Sequence, residues 1–227
     1  MTSDKTTARI AGVLFLAAMV TSLTGGGILE NILGAPAYLG EVHPQRVLVL
    51  IGVLLELSCA LAVVGIAAAL FPVLKRHNEA LALSYVGFRL LESVAILGAG
   101  LCALLLIGAS EALLDAGSPS APHLHTSADL LLEARAHLLS LILVTFFSAS
   151  AFVLYYVLYR TSLVPRYISV WGFLATAMLL TWNLLAIFGY DAGMLLALPI
   201  ILNEIFLGIW LIARGFKSAD EATGEVQ

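Results

Sequence analysis

Long apolar stretches alternate with short polar segments along the whole chain. Six apolar stretches cover about residues 10–29, 47–74, 80–110, 130–159, 167–188 and 194–216. A helix of about 20 residues is long enough to cross the hydrocarbon layer of a bilayer. The pattern therefore predicts an all-α, polytopic membrane protein with six transmembrane helices in one domain over residues 1–216. A polar, disordered tail is predicted for residues 217–227.

The polar segments between the stretches predict loops and helix starts. Residues 30–46 contain Pro and Gly and predict a loop with a short interfacial turn around Tyr38. The longest loop is predicted after residue 110. The hydroxyl and carboxylate side chains from Thr126 to Asp129 predict the start of the fourth helix. Its first turns, which contain Arg135, are expected to project from the outer surface or to lie in the interface.

Composition supports the membrane assignment and excludes several other classes of protein. The chain has 227 residues, 61% of them hydrophobic and 11% charged, and its mean hydropathy is +1.01. These values lie outside the range of soluble globular domains, so the lipid bilayer is the expected partner. No basic stripe with interleaved aromatic residues is present, which argues against binding of nucleic acid. Cys59 and Cys102 fall in apolar stretches at different depths and are predicted to be buried free thiols.

Basic residues predict the orientation in the membrane. In the six-helix arrangement, Arg46 and Arg135 are expected on one side and Arg89 within a helix. All other Lys and Arg residues fall on the opposite side, namely Lys5, Arg9, Lys75, Arg76, Arg160, Arg166, Arg214 and Lys217. Positive charge is enriched in cytoplasmic segments, so both termini are predicted to be cytoplasmic.

The third helix carries two charges in the middle of its apolar stretch. Arg89 and Glu92 are three residues apart and therefore share a helical face, with Tyr85 one turn before them. An ionisable side chain at the centre of a bilayer is costly unless it is paired or hydrated, so it normally faces the interior of the bundle. The three side chains are therefore candidate ligand- or proton-binding residues.

Further polar residues fall at a similar predicted depth in other helices. Glu56 in the second helix and Glu204 in the sixth are expected to converge on Arg89, and Asn203 adds donors beside Glu204. Pro199 is expected to kink the sixth helix just before them. One guanidinium facing three carboxyl groups predicts that at least one carboxyl is protonated or solvated. The alternative is that these groups are interhelical fasteners.

Histidines on the outer side suggest a second kind of site. His123 and His125 fall in the predicted long loop, and Glu133 and His137 are four residues apart on one helical face. Such a set could hold a metal ion, although the spacing matches no zinc signature. The sequence contains no phosphate-binding glycine loop, nucleophile elbow or paired-cysteine motif, so no catalytic residue and no cofactor is predicted.

Several segments, taken together, carry a family resemblance. They are Arg9 to Leu16, Phe71 to Lys75, Asn78 to Glu92, Leu158-Tyr159-Arg160, Leu163 to Arg166, Trp171-Gly172, and Asn203-Glu204 with Trp210 and Arg214-Gly215-Phe216. These segments resemble the bacterial multi-pass membrane proteins grouped as domain-of-unknown-function family 4386, most specifically in the block from Asn78 to Glu92. The resemblance implies a helical fold in the bacterial inner membrane and implies no activity.

Three functions are compatible with the sequence. The leading hypothesis is that the buried Glu and Arg residues form a cavity that binds or transports a small solute or a proton. The first alternative is a non-catalytic membrane subunit whose buried charges serve helix packing or assembly with another membrane protein or a second copy of the chain. The second alternative is a metal-dependent enzyme that uses the outer histidines.

Overall fold

The fold is built from helices joined by short connections. The structure is a computed structural model that describes residues 2–115, 122–190 and 194–217. Its α-helices are α1 (Thr2–Leu33), α2 (Tyr38–Val42), α3 (Arg46–Lys75), α4 (Glu79–Asp115), α5 (Pro122–His137), α6 (Val144–Thr161), α7 (Arg166–Ile187) and α8 (Leu198–Ala213). A π-helical segment (Leu138–Leu143) joins α5 to α6, and a 3-10 turn (Met194–Ala197) precedes α8.

Within the described residues, six helical segments are long and apolar enough to cross a membrane, which confirms the predicted number of spans. They are α1, α3, α4, the continuous α5–π–α6 helix, α7, and α8 with its preceding turn. Large apolar side chains on their outer faces are exposed, for example Leu61, Val94 and Leu174. Such faces suit contact with lipid tails rather than water.

The spanning helices form a closed ring. α1 packs against α3, α3 against α4, α4 against α6, α6 against α7, and α7 against α8. Contact between α8 and α1 closes the ring. α5 and the π segment pack against α4. The interior of this ring is therefore surrounded by helices from the first span to the last.

Small residues allow the first and last spans to approach each other closely. A Cβ atom added to Gly12 of α1 would lie 2.6 Å from the carbonyl oxygen of Gly208 in α8. No side chain fits at that distance, so glycine is required for this crossing. Gly172 of α7 has the same role against the buried ring of Tyr155, which lies in α6.

A short helix and the start of α5 cover one end of the ring. The predicted turn around Tyr38 is the helix α2, and the Tyr38 hydroxyl donates a hydrogen bond to Asp129 Oδ1 at 2.7 Å. Leu39 and Val42 of α2 are buried in an apolar cluster with Leu29 and other residues from the adjoining helices. Burial, and secondarily the Asp129 carboxylate, raises the pKa of Tyr38 well above its usual value.

The predicted start of the fourth span was wrong. α5 begins at Pro122, and the Thr126 and Ser127 hydroxyls donate to the carbonyls of Pro122 and His123 one turn earlier, at 2.9 and 2.8 Å. Hydroxyls used in this way lie inside a helix and do not cap it. His123 and His125 are therefore helical and not in a loop. Residues 111–115 of the predicted loop are also helical and belong to α4, and residues 116–121 lie outside the described residues.

Two further predictions concern the C-terminal part of the chain. The predicted proline kink in the sixth span falls at the start of α8, where Pro199 is the second residue and follows the 3-10 turn Met194–Ala197. At that position the missing amide costs α8 no intrahelical hydrogen bond, so Pro199 does not break α8. The predicted disordered tail lies outside the described residues from residue 218 onward.

Candidate functional site

The first buried ion pair is built within one helix. Arg89 Nη1 donates hydrogen bonds to both carboxylate oxygens of Glu92, at 3.2 and 3.1 Å, and Arg89 Nε donates to the Tyr85 hydroxyl at 3.2 Å. Only 2% of the Arg89 residue surface is exposed. The rings of Phe15, Tyr85 and Phe147 lie 5.4–5.9 Å from the guanidinium carbon, a range in which cation–π attraction stabilises the charge.

A second carboxyl group approaches the same guanidinium from α8. Glu204 Oε1 lies 3.8 Å from Arg89 Nη2, which is too long for a hydrogen bond. Nη2 is buried and has no hydrogen-bond partner among the described residues. The structure therefore brings Glu204 to Arg89, as the sequence predicts, but leaves one buried donor unsatisfied.

A cavity of about 270 Å³ adjoins this cluster at the centre of the helix ring. Arg89, Glu92 and Glu204 form its charged end. Its other lining residues are mostly apolar and come from every spanning segment: Phe15, Ala18, Met19, Ser22, Leu23, Cys59, Val63, Ile66, Ile96, Leu143, Val144, Phe147, Leu179, Ala197, Ile200 and Ile201. A mainly apolar cavity with a few convergent polar groups is the usual form of a small-molecule site.

Glu56 does not join the Arg89 cluster, and this part of the predicted site is wrong. Arg135 Nη1 donates to Glu56 Oε2 at 3.0 Å, and Arg135 Nη2 donates to Glu56 Oε1 at 2.5 Å. Arg135 Nη1 also donates to the carbonyl oxygen of Ala99 in α4, at 2.8 Å. This pair connects α3, α4 and α5 and satisfies both oxygens of the carboxylate.

The position of Arg135 corrects a second prediction. Arg135 is buried, with 6% of its surface exposed, instead of lying at the outer surface. The reason is that α5 begins at Pro122 and continues through the π segment into α6, so Arg135 lies more than three turns inside a continuous helix. In that position Arg135 pairs with the carboxylate of Glu56 in α3.

Asn203 also lies apart from the cavity. Its Nδ2 donates to the carbonyl oxygen of Ile168 at 3.1 Å, which connects α8 to α7, and its Oδ1 is buried with no hydrogen-bond partner in the described part of the chain. Tyr85 contributes indirectly, through its hydroxyl contact with Arg89. Of the six predicted binding residues, Arg89, Glu92 and Glu204 therefore line the cavity.

The π-helical segment and two small polar side chains were missed by sequence reasoning. Leu143 is the last residue of the π segment and lines the cavity, as do Ser22 and Cys59. π-helical turns within α-helices are frequent at functional sites. Cys59 and Cys102 are both free and buried, as predicted, and of the two only Cys59 lines the central cavity.

The predicted outer-face metal ligands are not assembled into a site. His137 Nε2 lies 3.6 Å from Glu133 Oε1, and both side chains are largely exposed. Across residues 2–115, 122–190 and 194–217, no three His, Cys, Asp or Glu side chains are grouped in a way that could hold a metal ion. His123 and His125 therefore lack the geometry that the metal-enzyme hypothesis requires.

Comparison with known families now identifies the chain at the level of its family. The model described as Domain of unknown function (DUF4386) matches residues 10–215. The chain belongs to the DUF4386 family. The DUF4386 match includes every residue that lines the central cavity and both partners of each buried Arg–Glu pair. No curated protein and no solved structure matches the chain.

Proposed function

We propose that this DUF4386 protein binds a proton or a small amphipathic solute with a cationic group in its central cavity and carries it across the membrane. The proposal is based on the charged end of the cavity, where one guanidinium adjoins two carboxyl groups. Glu92 makes two hydrogen bonds to Arg89, whereas Glu204 makes none to it. Glu204 is therefore the group free to bind something else.

The charge count supports a cationic ligand. With both carboxyl groups ionised, the set of Arg89, Glu92 and Glu204 has one negative charge in excess, and a proton or an ammonium group neutralises it. The pair of Arg135 and Glu56 is already balanced and needs no ligand. Binding of a cation at Glu204 therefore leaves no uncompensated charge on these buried side chains.

Size and lining limit the class of solute. Ligand cavities for drug-sized molecules begin at roughly 300 Å³, so a cavity of about 270 Å³ suits a smaller molecule. Phe15, Ile200 and most other lining residues are apolar and suit a hydrocarbon or aromatic group next to the cation. The position of the cavity inside a closed ring of spanning helices favours transport over a role at the membrane surface.

A membrane subunit without transport activity is the second candidate function. The pair of Glu56 and Arg135 favours it, because this pair connects three helices with full hydrogen bonding and has the properties of a packing device. In that account the Arg89 cluster serves packing or assembly as well, and removal of the Glu204 charge changes no binding property.

We further propose a location in the bacterial inner membrane with both termini in the cytoplasm. The basic residues assigned to the cytoplasmic side lie at one end of the ring, where Arg76 pairs with Asp4 at 2.9 Å. Burial of Arg135 leaves Arg46 as the one described basic residue of the opposite end. The asymmetry of positive charge is therefore larger than the sequence alone predicts, which supports this orientation.

Binding of benzylammonium to the purified chain, with benzoate as the charge-reversed control, tests the proposed function. We expect benzylammonium to bind, to bind more weakly as the pH falls because protons compete for Glu204, and to lose at least about tenfold in affinity in Glu204→Gln. The matched control is the double variant Glu56→Gln/Arg135→Gln, which alters the balanced pair and should retain binding. Equal binding of benzoate, or no effect of Glu204→Gln, would contradict the proposal.

A further inference from the structure

A second pocket, separate from the central cavity, lies where the start of α1 meets the end of α8. It has a volume of about 520 Å³ and lies between the first turn of α1 and the end of α8. Its lining residues are Lys5, Trp210, Ala213, Arg214, Gly215, Phe216 and Lys217. The pocket is therefore basic on one side and aromatic on the other, and the proposed transport function makes no use of it.

Two basic side chains of this pocket, Lys5 and Arg214, have no acidic partner among the described residues. Lys5, Arg214 and Lys217 bring three positive charges together, and no acidic side chain of the described residues is among those that line the pocket. Asp4 is next to Lys5 in sequence, but its carboxylate accepts a hydrogen bond from Arg76 at 2.9 Å. Lys5 and Arg214 form no ion pair within the part of the chain that the structure describes. An anion would relieve the mutual repulsion of these cations.

The backbone fixes the far side of the pocket. Gly215 has a φ of +76°, a left-handed conformation that favours glycine and turns the chain sharply at the end of α8. The Lys217 amide then donates a hydrogen bond to the carbonyl oxygen of Leu163, in the connection between α6 and α7, at 2.8 Å. Lys217 is therefore held against the ring by its backbone.

Two further features favour an anionic ligand. Lys5 lies in the first turn of α1, where the positive end of the helix dipole attracts anions. The indole Nε1 of Trp210 is buried and has no hydrogen-bond partner among the described residues. Each of these features is minor alone, but Lys5 and Trp210 line the same pocket as Arg214.

We propose that this pocket binds a phosphate group, supplied by the headgroup of an anionic phospholipid. The pocket lies at the ends of two spanning helices, where headgroups are found, and Trp210 and Phe216 offer apolar contacts to the glycerol and upper acyl carbons. Clusters of Lys and Arg next to spanning helices attract anionic lipids. A soluble phosphate has the same anionic chemistry, and the experiment separates the two sources.

Native mass spectrometry of the full chain in neutral detergent measures lipid binding directly. The ligands are phosphatidylglycerol, zwitterionic phosphatidylcholine and inorganic phosphate. We expect preferential binding of phosphatidylglycerol, and we expect Lys5→Gln/Arg214→Gln to weaken it by about tenfold or more. The matched control is Arg160→Gln/Arg166→Gln, which removes the same charge at the same end of the ring and should retain this binding.

The outcomes separate the sources and can overturn the proposal. Displacement of phosphatidylglycerol by inorganic phosphate would assign the pocket to a soluble phosphate, whereas binding of the lipid alone would assign it to a headgroup; both outcomes support a phosphate site. Equal weakening by the two double variants, or equal binding of phosphatidylglycerol and phosphatidylcholine, would show only general attraction to basic residues and would overturn it.

Discussion

Arg89 Nη2 and Glu204 Oε1 lie 3.8 Å apart at the centre of the helix ring. At this distance the two groups attract each other strongly in an apolar environment but do not share a hydrogen bond. Arg89 is held by Glu92 and Tyr85 on its own helix, so Glu204 of α8 is the partner that can be exchanged. The proposed function depends on this difference between the two carboxyl groups.

The two buried Arg–Glu clusters differ in how fully their charges are paired and can be compared within one protein. Arg135 and Glu56 are fully paired and lie away from the central cavity. Arg89 has an excess carboxyl group, an adjoining cavity and a donor, Nη2, without a hydrogen-bond partner in the part of the chain that the structure describes. Variants of the first cluster therefore test packing, and variants of the second test binding.

Loss of Arg135 is expected to destabilise the fold strongly. Arg135→Ala leaves the buried carboxylate of Glu56 unpaired, and breaking a buried ion pair in this way costs about 3–5 kcal/mol of unfolding free energy. Chemical unfolding of the purified chain in detergent measures the effect. Replacement of the whole pair, Glu56→Leu/Arg135→Leu, should recover most of the stability because no charge is then left unpaired.

A control for this prediction is the exposed pair of Lys75 and Glu79, which are 2.8 Å apart. Glu79→Ala should cost less than about 1 kcal/mol, since exposed ion pairs contribute little. If Arg135→Ala destabilises the protein no more than Glu79→Ala does, the buried pair does not hold the three helices together.

Two glycines should respond in opposite ways to substitution by alanine. Gly12→Ala places a methyl group 2.6 Å from the Gly208 carbonyl oxygen, and the resulting separation of α1 and α8 is expected to cost about 1–3 kcal/mol. Gly87→Ala meets no atom of the described residues within 4 Å beyond its neighbours and the backbone of its own helix, so it should stabilise the fold by about 0.5–1 kcal/mol. Thermal unfolding of both variants provides the measurement, and equal effects would disprove the close contact of α1 with α8.

Stability should decrease at alkaline pH through Tyr38. Burial and the Asp129 carboxylate raise the pKa of Tyr38 above its ordinary value of 10.0 in the folded state. A raised pKa in the folded state contributes stability that is complete below pH 10 and is lost as the pH rises above it. Asp129→Asn removes the anion and should lower the pKa of Tyr38, although burial still keeps it raised.

Ultraviolet titration of phenolate absorption measures this pKa. The Tyr38→Phe variant identifies which step of the titration belongs to Tyr38, and the same variant should reduce the loss of stability above pH 10. A Tyr38 signal that titrates at its ordinary pKa would show that α2 is not docked on α5.

The proposed orientation can be checked with two tags on one chain. A fluorescent protein fused after residue 217 should fluoresce, because its chromophore matures in the cytoplasm. An epitope inserted at Gln45, in the connection between α2 and α3, should be accessible from the other side of the membrane. Accessibility of both tags from the same side would rule out the assigned arrangement of the spans.

Local features of the fold could be predicted from the sequence. The six spans follow from unbroken apolar stretches, and the pairing of Arg89 with Glu92 follows from their spacing on one helix. The approach of Glu204 to Arg89 could be inferred from shared depth alone. These features depend on helical geometry and on the thickness of a bilayer.

Features that depend on tertiary packing could not be predicted. Residues 122–129 have a polar composition that resembles a loop, and they are helical because α5 packs on α4 and Asp129 contacts Tyr38. Because the helix begins at Pro122, Arg135 lies inside the bundle and pairs with Glu56. Glu56 therefore does not join the Arg89 cluster. No local sequence pattern marks Ser22 and Cys59 as cavity-lining residues, because the cavity forms where the six spanning helices meet.

The two cysteines allow the most direct test of the central claim, which is that water-borne cations enter the cavity beside Glu204. Cys59 lines the cavity, and Cys102, which is also buried, does not. Alkylation by a small cationic thiol reagent is measured in membranes that contain one of two variants. The Cys102→Ala variant retains Cys59, and the Cys59→Ala variant retains Cys102. The account predicts that Cys59 reacts much faster than Cys102 and that benzylammonium slows this reaction. Equal and slow reaction of both thiols would contradict an accessible cavity.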